Sequence, residues 1–165
     1  MTSRVVVASA VGEWVVEGDA HGIERIYLAQ FALRGASTPP ARAVTGAARQ
    51  LGEYFAGGRR EFDIDLHLVG TPFQQTVWTQ LTTIPFGQVR SYGDVAIAIA
   101  HPHAYRAVGN ANAKNPWAIV VPCHRVVASN GIGGYGGRLD VKRFLLQLEG
   151  VRDYDEVSRF APRRR

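Results

Sequence analysis

The chain has 165 residues, and its 46% hydrophobic and 20% charged content indicates a globular protein and excludes an intrinsically disordered one. A single cysteine excludes an internal disulfide and favours a reducing, cytoplasmic location. No apolar run approaches the length of a membrane span, so we expect no membrane partner.

Charge is distributed unevenly along the chain. Residues 1–72 carry 7 basic and 8 acidic side chains, whereas residues 73–165 carry 12 basic and 6 acidic ones, a net of +6. A basic half beside a nearly neutral half favours a polyanionic partner, such as nucleic acid, for the basic half. A basic surface that is merely solvated would explain the charge equally well.

The first third of the chain predicts strands followed by a helix. The segments RVVVASAV, GEWVVEGD and GIERIYLA alternate in polarity as short strands do. Apolar residues then recur at helical spacing until Gly57-Gly58 end the helix. They are Val44, Ala47, Ala48, Leu51, Tyr54 and Phe55. EFDIDLHL predicts a fourth strand, so residues 1–70 are predicted to form a small α+β domain without a catalytic pattern.

Residues 71–165 are predicted to form a second, mainly helical domain. It begins at the junction VGTP, where Thr71 and Gln74 make a capping box and Pro72 takes the first helical position. The apolar face of this helix comprises Phe73, Val77, Trp78, Leu81 and Ile84.

Two shorter helices follow in this basic half. Ser91 with Asp94 marks the start of a helix over residues 92–100, and His101-Pro102 ends it. A further helix is predicted over residues 103–113. Two short helices joined by a tight break predict a helix-turn-helix, the motif that many DNA-binding domains use.

The second helix of this pair has one face of small residues. The inward face is predicted to be Ala104, Ala107, Val108 and Ala111. The outward face is predicted to be Arg106, Gly109, Asn110 and Ala113. Small outward residues allow close approach to a surface, which the arginine can probe.

The only cysteine lies in NPWAIVVPCHRVV, after an apolar run that we interpret as a buried strand. A last helix, capped by Asp140 and ended by Gly150, places Glu149 at the negative end of the helix dipole. A positive or hydrogen-bonding partner would offset that cost. Cys123 can be a buried structural thiol, or a nucleophile with His124 as its base and Glu149 orienting the imidazole.

Two other kinds of site are not predicted. The chain has no Cys-x-x-Cys, and its histidines lack a zinc spacing with the cysteine, so we expect no metal. GIGGYG matches G-x-G-x-x-G, but a dinucleotide fold needs a further parallel strand and an acid after the next helix. We interpret these glycines as a mobile loop that approaches a ligand through its backbone.

Taken together, several motifs resemble a known family. VPCHRV after NP, preceded by SYGDVA and RAVGNAN and followed by GGYGG and VKRFLLQLEG, is similar to the O6-alkylguanine-DNA alkyltransferases over residues 71–150. The resemblance implies an α+β fold in which a helix-turn-helix binds duplex DNA through the minor groove. It also implies irreversible transfer of an alkyl group, such as methyl, from O6-alkylguanine to the protein's own cysteine, without a cofactor and without turnover. O4-alkylthymine is a further candidate substrate, and we expect a monomer whose cooperativity on DNA stays open.

The resemblance assigns roles to five residues at the reactive centre. Cys123 would accept the alkyl group, and His124 would act as its base through a water molecule while Glu149 holds the imidazole. Asn115 would brace the turn that presents the cysteine. Tyr92 would help to rotate the nucleotide and donate a hydrogen bond to the leaving guanine.

Further roles concern DNA and the lesion pocket. Arg106 would enter the base stack in place of the flipped base. The neighbouring DNA-facing positions would be Tyr105, Ala107, Gly109 and Asn110. The pocket would be lined by Val126, Tyr135, Gly136 and Lys142.

Three features depart from the family pattern: Tyr105 replaces a small residue, Gly136 replaces a serine found in some members, and the loop before GGYGG is about one residue short.

Two other functions remain open from the sequence. A lesion sensor would flip alkylguanine without reacting, although non-reactive relatives lack the cysteine that this chain carries. A Cys/His hydrolase acting on small molecules or peptides would turn over repeatedly and would need neither the helix-turn-helix nor Arg106.

Overall fold

The protein was analysed as a computed structural model that describes residues 1–30, 39–136 and 138–152. The described chain groups into two compact units. One comprises Met1–Val69 with Pro116–Val120, and the other comprises Gly70–Asn115 and the chain from Val121 onward. The predicted boundary between residues 70 and 71 stays a prediction about folding domains, and residues 153–165 of the predicted second domain lie outside the described residues.

The first unit contains the three predicted strands as an antiparallel meander. Strands β1 (Ser3–Ser9), β2 (Gly12–Asp19) and β3 (Gly22–Leu28) pair in the order β1-β2-β3. Helix α1 (Arg42–Phe55) packs on this sheet. The buried residues of the helix recur at helical spacing, as predicted, and are Val44, Ala47, Ala48, Gln50, Leu51 and Tyr54. The strands and α1 therefore confirm the predicted small α+β layout.

The predicted fourth strand at residues 61–68 is wrong. Within this segment only Leu66 forms a bridge, in parallel with Ile23 of β3. The reason is a side chain that the local pattern does not contain. Gln50 donates its Nε2 to the Asp63 carbonyl at 2.8 Å and accepts the Asp63 N–H at 2.9 Å. Because this amide satisfies backbone groups, the segment needs no strand ladder there.

Residues 116–120 also differ from the prediction, which made them part of a buried strand leading to the cysteine. They form no regular strand, and Trp117 makes one parallel bridge to Ile26. The Ile26 N–H donates to the Pro116 carbonyl at 2.8 Å. Ile119 has a φ of 73°, a left-handed conformation that a β-branched residue cannot adopt within a strand. The segment is buried as predicted, but its backbone turns.

The second unit begins with the predicted capped helices. Helix α2 (Pro72–Leu81) starts at the Thr71–Gln74 capping box, and α3 (Tyr92–Ala98) starts at the Ser91–Asp94 box. Helix α4 (Tyr105–Ala113) packs against both α2 and α3. Helix α3 ends two residues before the predicted position 100, where Ala100 takes a φ of 62°. The pair of helices predicted for a helix-turn-helix is therefore present.

The buried stripe of α4 is displaced from the prediction. Val108, Ala111 and Asn112 are buried, whereas Ala107, predicted to face inward, is exposed. The stripe runs through positions 108, 111 and 112 and so includes a polar residue that a hydrophobic pattern leaves out.

A two-stranded parallel pair and a last helix complete this unit. Strand β4 (Arg90–Ser91) pairs with β5 (Val126–Val127), and helix α5 (Leu139–Leu148) is followed by Gly150 at a φ of 83°. The predicted cap Asp140 is wrong, because the N-cap residue is Arg138. Asp140 lies inside the first turn and pairs with Arg138 at 3.0 Å.

Among the described residues, no helix has both the length and the apolar character that crossing a membrane requires.

Candidate active site

Cys123 opens a short 3-10 turn, Cys123–Arg125, directly before β5. Its own N–H donates to the Val121 carbonyl at 2.8 Å, and the Arg125 N–H donates to the Pro122 carbonyl at 3.0 Å. Cys123 is 6% exposed. The predicted strand ending at the cysteine is therefore replaced by a tight turn that presents the buried thiol and the adjacent imidazole together.

His124 and Glu149 are brought together as predicted. His124 is completely buried, and its Nε2 lies 2.5 Å from Oε2 of Glu149. The carboxylate can only accept a hydrogen bond, so Nε2 carries the hydrogen and Nδ1 keeps its lone pair. Nδ1 is buried and has no hydrogen-bond partner among the described residues. The imidazole thus keeps one basic nitrogen available for proton transfer.

Glu149 receives further donors, which resolves its position at a helix end. Arg125 donates Nε to Oε1 at 2.7 Å and Nη2 to Oε2 at 3.2 Å. The Gly87 N–H donates to Oε1 at 3.1 Å. Arg125 is itself buried and donates Nη1 to the Ile84 carbonyl at 2.7 Å. Glu149 therefore has both kinds of partner that the sequence predicted, since Arg125 supplies the positive charge and His124 supplies a hydrogen bond.

The electrostatics of this cluster favour neutral resting forms of the two reactive groups. Burial would raise the pKa of Glu149, but the hydrogen bonds and charges of His124 and Arg125 together hold that pKa well below its usual range. Burial lowers the pKa of His124 and raises the pKa of the Cys123 thiol. A neutral thiol and a neutral imidazole thus lie beside a charged carboxylate–guanidinium pair.

Three predicted residues act directly on the thiol or its turn. Burial dominates the raised pKa of Cys123, while side-chain hydrogen bonds from Asn115 and Tyr135 and the charge of Lys142 favour the thiolate. Asn115 also donates Nδ2 to the Val121 carbonyl at 2.7 Å. These contacts would stabilise negative charge on sulfur once the proton has left.

Lys142 is fully buried in α5, where a hydrophobic pattern places no lysine. Its Nζ donates to the Val126 carbonyl at 2.6 Å and to the Gly134 carbonyl at 3.0 Å. Burial lowers the pKa of Lys142 to about 8. Lys142 therefore ties the glycine loop to β5, and the pocket residue Val126 is fully buried beside it. The predicted mobility of the loop stays a prediction.

Tyr92 is the first residue of α3 and lies between the helix pair and the glycine loop. A methyl group at Gly133 would come within 3.1 Å of its ring, and one at Gly109 would touch the ring at 3.9 Å. Burial raises the pKa of the Tyr92 hydroxyl, and the charge of Cys123 adds to that effect. Tyr92 is therefore protonated at neutral pH and able to donate a hydrogen bond.

The remaining predicted residues do not join the buried cluster. Arg106, Ala107 and Asn110 are exposed on α4, and the Arg106 guanidinium carbon lies 5.9 Å from the ring centroid of the half-exposed Tyr105. Gly136 is exposed at a φ of 54°. The exposed face of α4 thus offers one arginine with an aromatic neighbour.

Sequence reasoning missed two buried residues at this centre, Arg125 and Asn112. The first had a signal: a glutamate at the negative end of a helix requires a partner, and Arg125 directly follows the candidate base. Asn112 had none, because its contact depends on the approach of α4 to the Cys123 turn. Its Nδ2 donates to the Cys123 carbonyl at 3.2 Å.

One mixed cluster of possible metal ligands lies in the first unit. Asp19, Glu24 and His67 each place one ligand atom within 4.8 Å of the others. His67 pairs with Asp19 at 3.2 Å, and Thr2 donates to Glu24 at 3.0 Å. Because each of the three already has a protein partner, the cluster does not by itself indicate a metal site, and the absence of a metal stays a prediction.

Comparisons with known proteins agree with this arrangement. A family model described as the DNA binding domain of 6-O-methylguanine DNA methyltransferase matches residues 72–151. A methylated-DNA–protein-cysteine methyltransferase of Mycobacterium tuberculosis is 52% identical over 124 residues, which are 74% of this chain and 75% of the relative. The chain belongs to the methylated-DNA–protein-cysteine methyltransferase family. A member from Methanosarcina acetivorans is 54% identical over 105 residues, covering 63% of this chain and 67% of that one.

Solved structures extend the similarity to nearly the whole chain. The crystal structure of the Mycobacterium tuberculosis O6-methylguanine methyltransferase has a TM-score of 0.81 and 42% identity, covering 97% of this chain and 99% of that one. A crystal structure of Mycobacterium tuberculosis OGT in complex with DNA has a TM-score of 0.79 and 44% identity, covering 93% and 96%. These similarities confirm the resemblance to this methyltransferase family. They also confirm the predicted α+β fold class.

Proposed function

We propose that the protein repairs DNA directly, by irreversible transfer of an alkyl group from O6-alkylguanine to its own Cys123. The observation that carries the proposal is the buried Cys123–His124 pair with Glu149 behind it, in a member of the methyltransferase family. His124 keeps Nδ1 available as a base because Glu149 holds Nε2. A non-reactive sensor and a hydrolase are not favoured, since the curated relatives are named as methyltransferases.

The transfer is a displacement at the alkyl carbon. The thiol proton leaves through a water molecule to Nδ1 of His124, and the sulfur then forms a bond to carbon as the carbon–oxygen bond breaks. The electron pair of that bond goes to O6, and a proton donated through Tyr92 neutralises the leaving guanine. The imidazolium returns its proton through the solvent, so guanine and an S-alkylcysteine are the products. No cofactor enters this scheme, and the alkylated protein does not turn over.

DNA recognition is proposed for the predicted second domain, residues 71–165. The exposed face of α4 would enter the minor groove, with Arg106 filling the space of the extruded base and Tyr105, Ala107, Gly109 and Asn110 nearby. An excess of basic residues after position 72 supports contact with phosphates. The Mycobacterium tuberculosis structure described as a complex with DNA supports a DNA partner. We propose a monomer acting in the cytoplasm, and cooperative binding is a further proposal.

Counting turnovers tests the reaction against its rivals. A short duplex containing O6-methylguanine is mixed in excess with the protein, and restored guanine is measured against the amount of protein. We expect repair to stop at one guanine per protein molecule, and Cys123→Ser to bind the duplex without repairing it. Repeated turnover would support a hydrolase, and binding without any repair would support a sensor.

Arg106 tests the proposed base flipping. Arg106→Ala should strongly slow repair of duplex DNA but leave the reaction with free O6-benzylguanine nearly unchanged, because a free base needs no extrusion. Arg106→Lys should rescue only in part, since lysine lacks the planar group that stacks. Equal losses on both substrates would make Arg106 a support for the fold or pocket. A variant at Tyr105 and the double variant show whether its ring shares the work.

A further inference from the structure

The last turn of α4 contains a buried asparagine that joins this helix to the reactive cysteine. Asn112 is 6% exposed, and its Nδ2 donates to the Cys123 carbonyl at 3.2 Å. Its Oδ1 is buried and has no hydrogen-bond partner among the described residues. One amide therefore holds the backbone of the cysteine and leaves its own oxygen unsatisfied.

A second amide, from Asn115 just after α4, holds the carbonyl two residues before that of Cys123. Asn115 donates Nδ2 to the Val121 carbonyl at 2.7 Å. The carbonyls that Asn112 and Asn115 hold belong to the residues on either side of Pro122, which has no N–H of its own to donate. The short segment that presents the thiol is thus held at two carbonyls, one on each side of Pro122.

The helix that supplies these amides is itself fixed in the core. Trp78 of α2 donates its Nε1 to the Ala111 carbonyl at 2.8 Å, directly before Asn112. The opposite, exposed face of α4 carries Arg106. Asn112 therefore connects the helix proposed to contact DNA with the backbone of the residue proposed to accept the alkyl group.

Backbone satisfaction alone does not explain this asparagine. The Cys123 carbonyl already accepts the N–H of Val126 within the turn. An apolar side chain at position 112 would continue the buried stripe of Val108 and Ala111 without burying an unpaired oxygen, which is unfavourable. The amide therefore adds a second hydrogen bond to a carbonyl that already has one, at the cost of an unpaired buried oxygen, and this favours a use in the reaction.

We propose that Asn112 is a positioning residue for alkyl transfer, whose amide locks the Cys123 turn to α4 and so aims the sulfur at the alkyl carbon. The inference rests on the proposed function, because it concerns the same reaction. Displacement requires the nucleophile in line with the breaking bond, and a misplacement of about 1 Å can slow such a step about 100-fold. Asn112 does not touch the substrate and acts through Cys123.

Asn112→Leu removes the hydrogen bond to Cys123 and the unpaired oxygen and keeps the branched shape of the side chain, although its methyl groups are larger. We expect its urea midpoint to stay equal to that of the parent protein or rise, and its affinity for duplex DNA to stay within about twofold. The single-turnover rate constant should fall at least about tenfold, equivalent to about 1.4 kcal/mol, for duplex O6-methylguanine and for free O6-benzylguanine alike. Both substrates slow together because both depend on where the sulfur points. Asn112→Ala serves for the same comparison if the leucine variant does not fold.

The outcomes separate the two proposals. Rates equal to the parent protein, or a rate loss that follows a parallel loss of stability and DNA affinity, would overturn the positioning role and leave the proposed function intact. If the parent protein transfers no alkyl group to itself, the proposed function fails, and the positioning role fails with it.

Discussion

The buried ion cluster around Glu149 allows a stability prediction with a magnitude. Its carboxylate accepts from four donors: Nε2 of His124, Nε and Nη2 of Arg125, and the Gly87 N–H. Glu149→Gln keeps the shape but supplies one oxygen and an NH2 group, so a donor must face a donor and the buried guanidinium loses its counter-charge. Breaking a buried ion pair costs about 3–5 kcal/mol, a large part of the stability of an ordinary domain.

Glu53→Gln is the matched control, because Glu53 also accepts from two arginines, Arg49 and Arg59, but on the surface. Its loss should be much smaller than that of Glu149→Gln, because exposed ion pairs contribute little to stability. Urea unfolding at neutral pH measures both free energies of unfolding. A loss for Glu149→Gln no larger than that for Glu53→Gln would refute the account of the cluster.

The stability difference between the parent protein and Glu149→Gln should also depend on pH. The folded-state pKa of Glu149 is lowered, so its stabilisation is present above the unfolded-state pKa of about 4.3 and is lost as the pH falls toward the folded-state value. The difference in unfolding free energy between the parent protein and Glu149→Gln should therefore shrink below pH about 4.3. A difference that stays constant on acidification would contradict the assigned charge.

Three further predictions concern the second unit. Lys142 binds a proton less tightly when folded, so between pH about 8 and 10.5 the parent protein should gain stability relative to Lys142→Met, by up to about 3 kcal/mol, in urea titrations across that range. Gly133→Ala, at a φ of 75° with its new methyl 3.1 Å from the Tyr92 ring, should lose about 1–2 kcal/mol and slow transfer, whereas Gly131→Ala meets no atom within 4 Å and should stay within about 0.5 kcal/mol by the same denaturation assay. DNA affinity measured by fluorescence anisotropy should fall steeply as salt rises, and a flat response would count against contacts with phosphates.

Sequence patterns correctly predicted the helices and strands that depend on residues close together in the chain. Both capping boxes, at Thr71 and at Ser91, were found because each depends on two residues three positions apart. The three strands of the meander were predicted from their alternation and from the turns between them. The prediction for residues 61–68 failed because the Asp63 backbone groups bond to the side chain of Gln50 in α1, a contact that no alternation pattern contains.

The candidate site was predictable in its chemistry but not in its supports. Cys123 and His124 are adjacent in sequence, and Glu149 was marked by its unfavourable place at a helix end. The burial of Lys142 and Asn112 could not be predicted, because a polar side chain can be buried only where tertiary structure supplies its partners. Those partners are backbone carbonyls of the Cys123 turn and the glycine loop, which no sequence pattern identifies.

Intact-mass spectrometry tests the central claim most directly. The protein is mixed with duplex DNA containing O6-methylguanine, its mass is measured, and its peptides are then mapped. We expect one added methyl group, about 14 Da, located on Cys123, in an amount equal to the guanine restored. Guanine restored while the protein mass stays unchanged, or a methyl group found on another residue, would contradict the account.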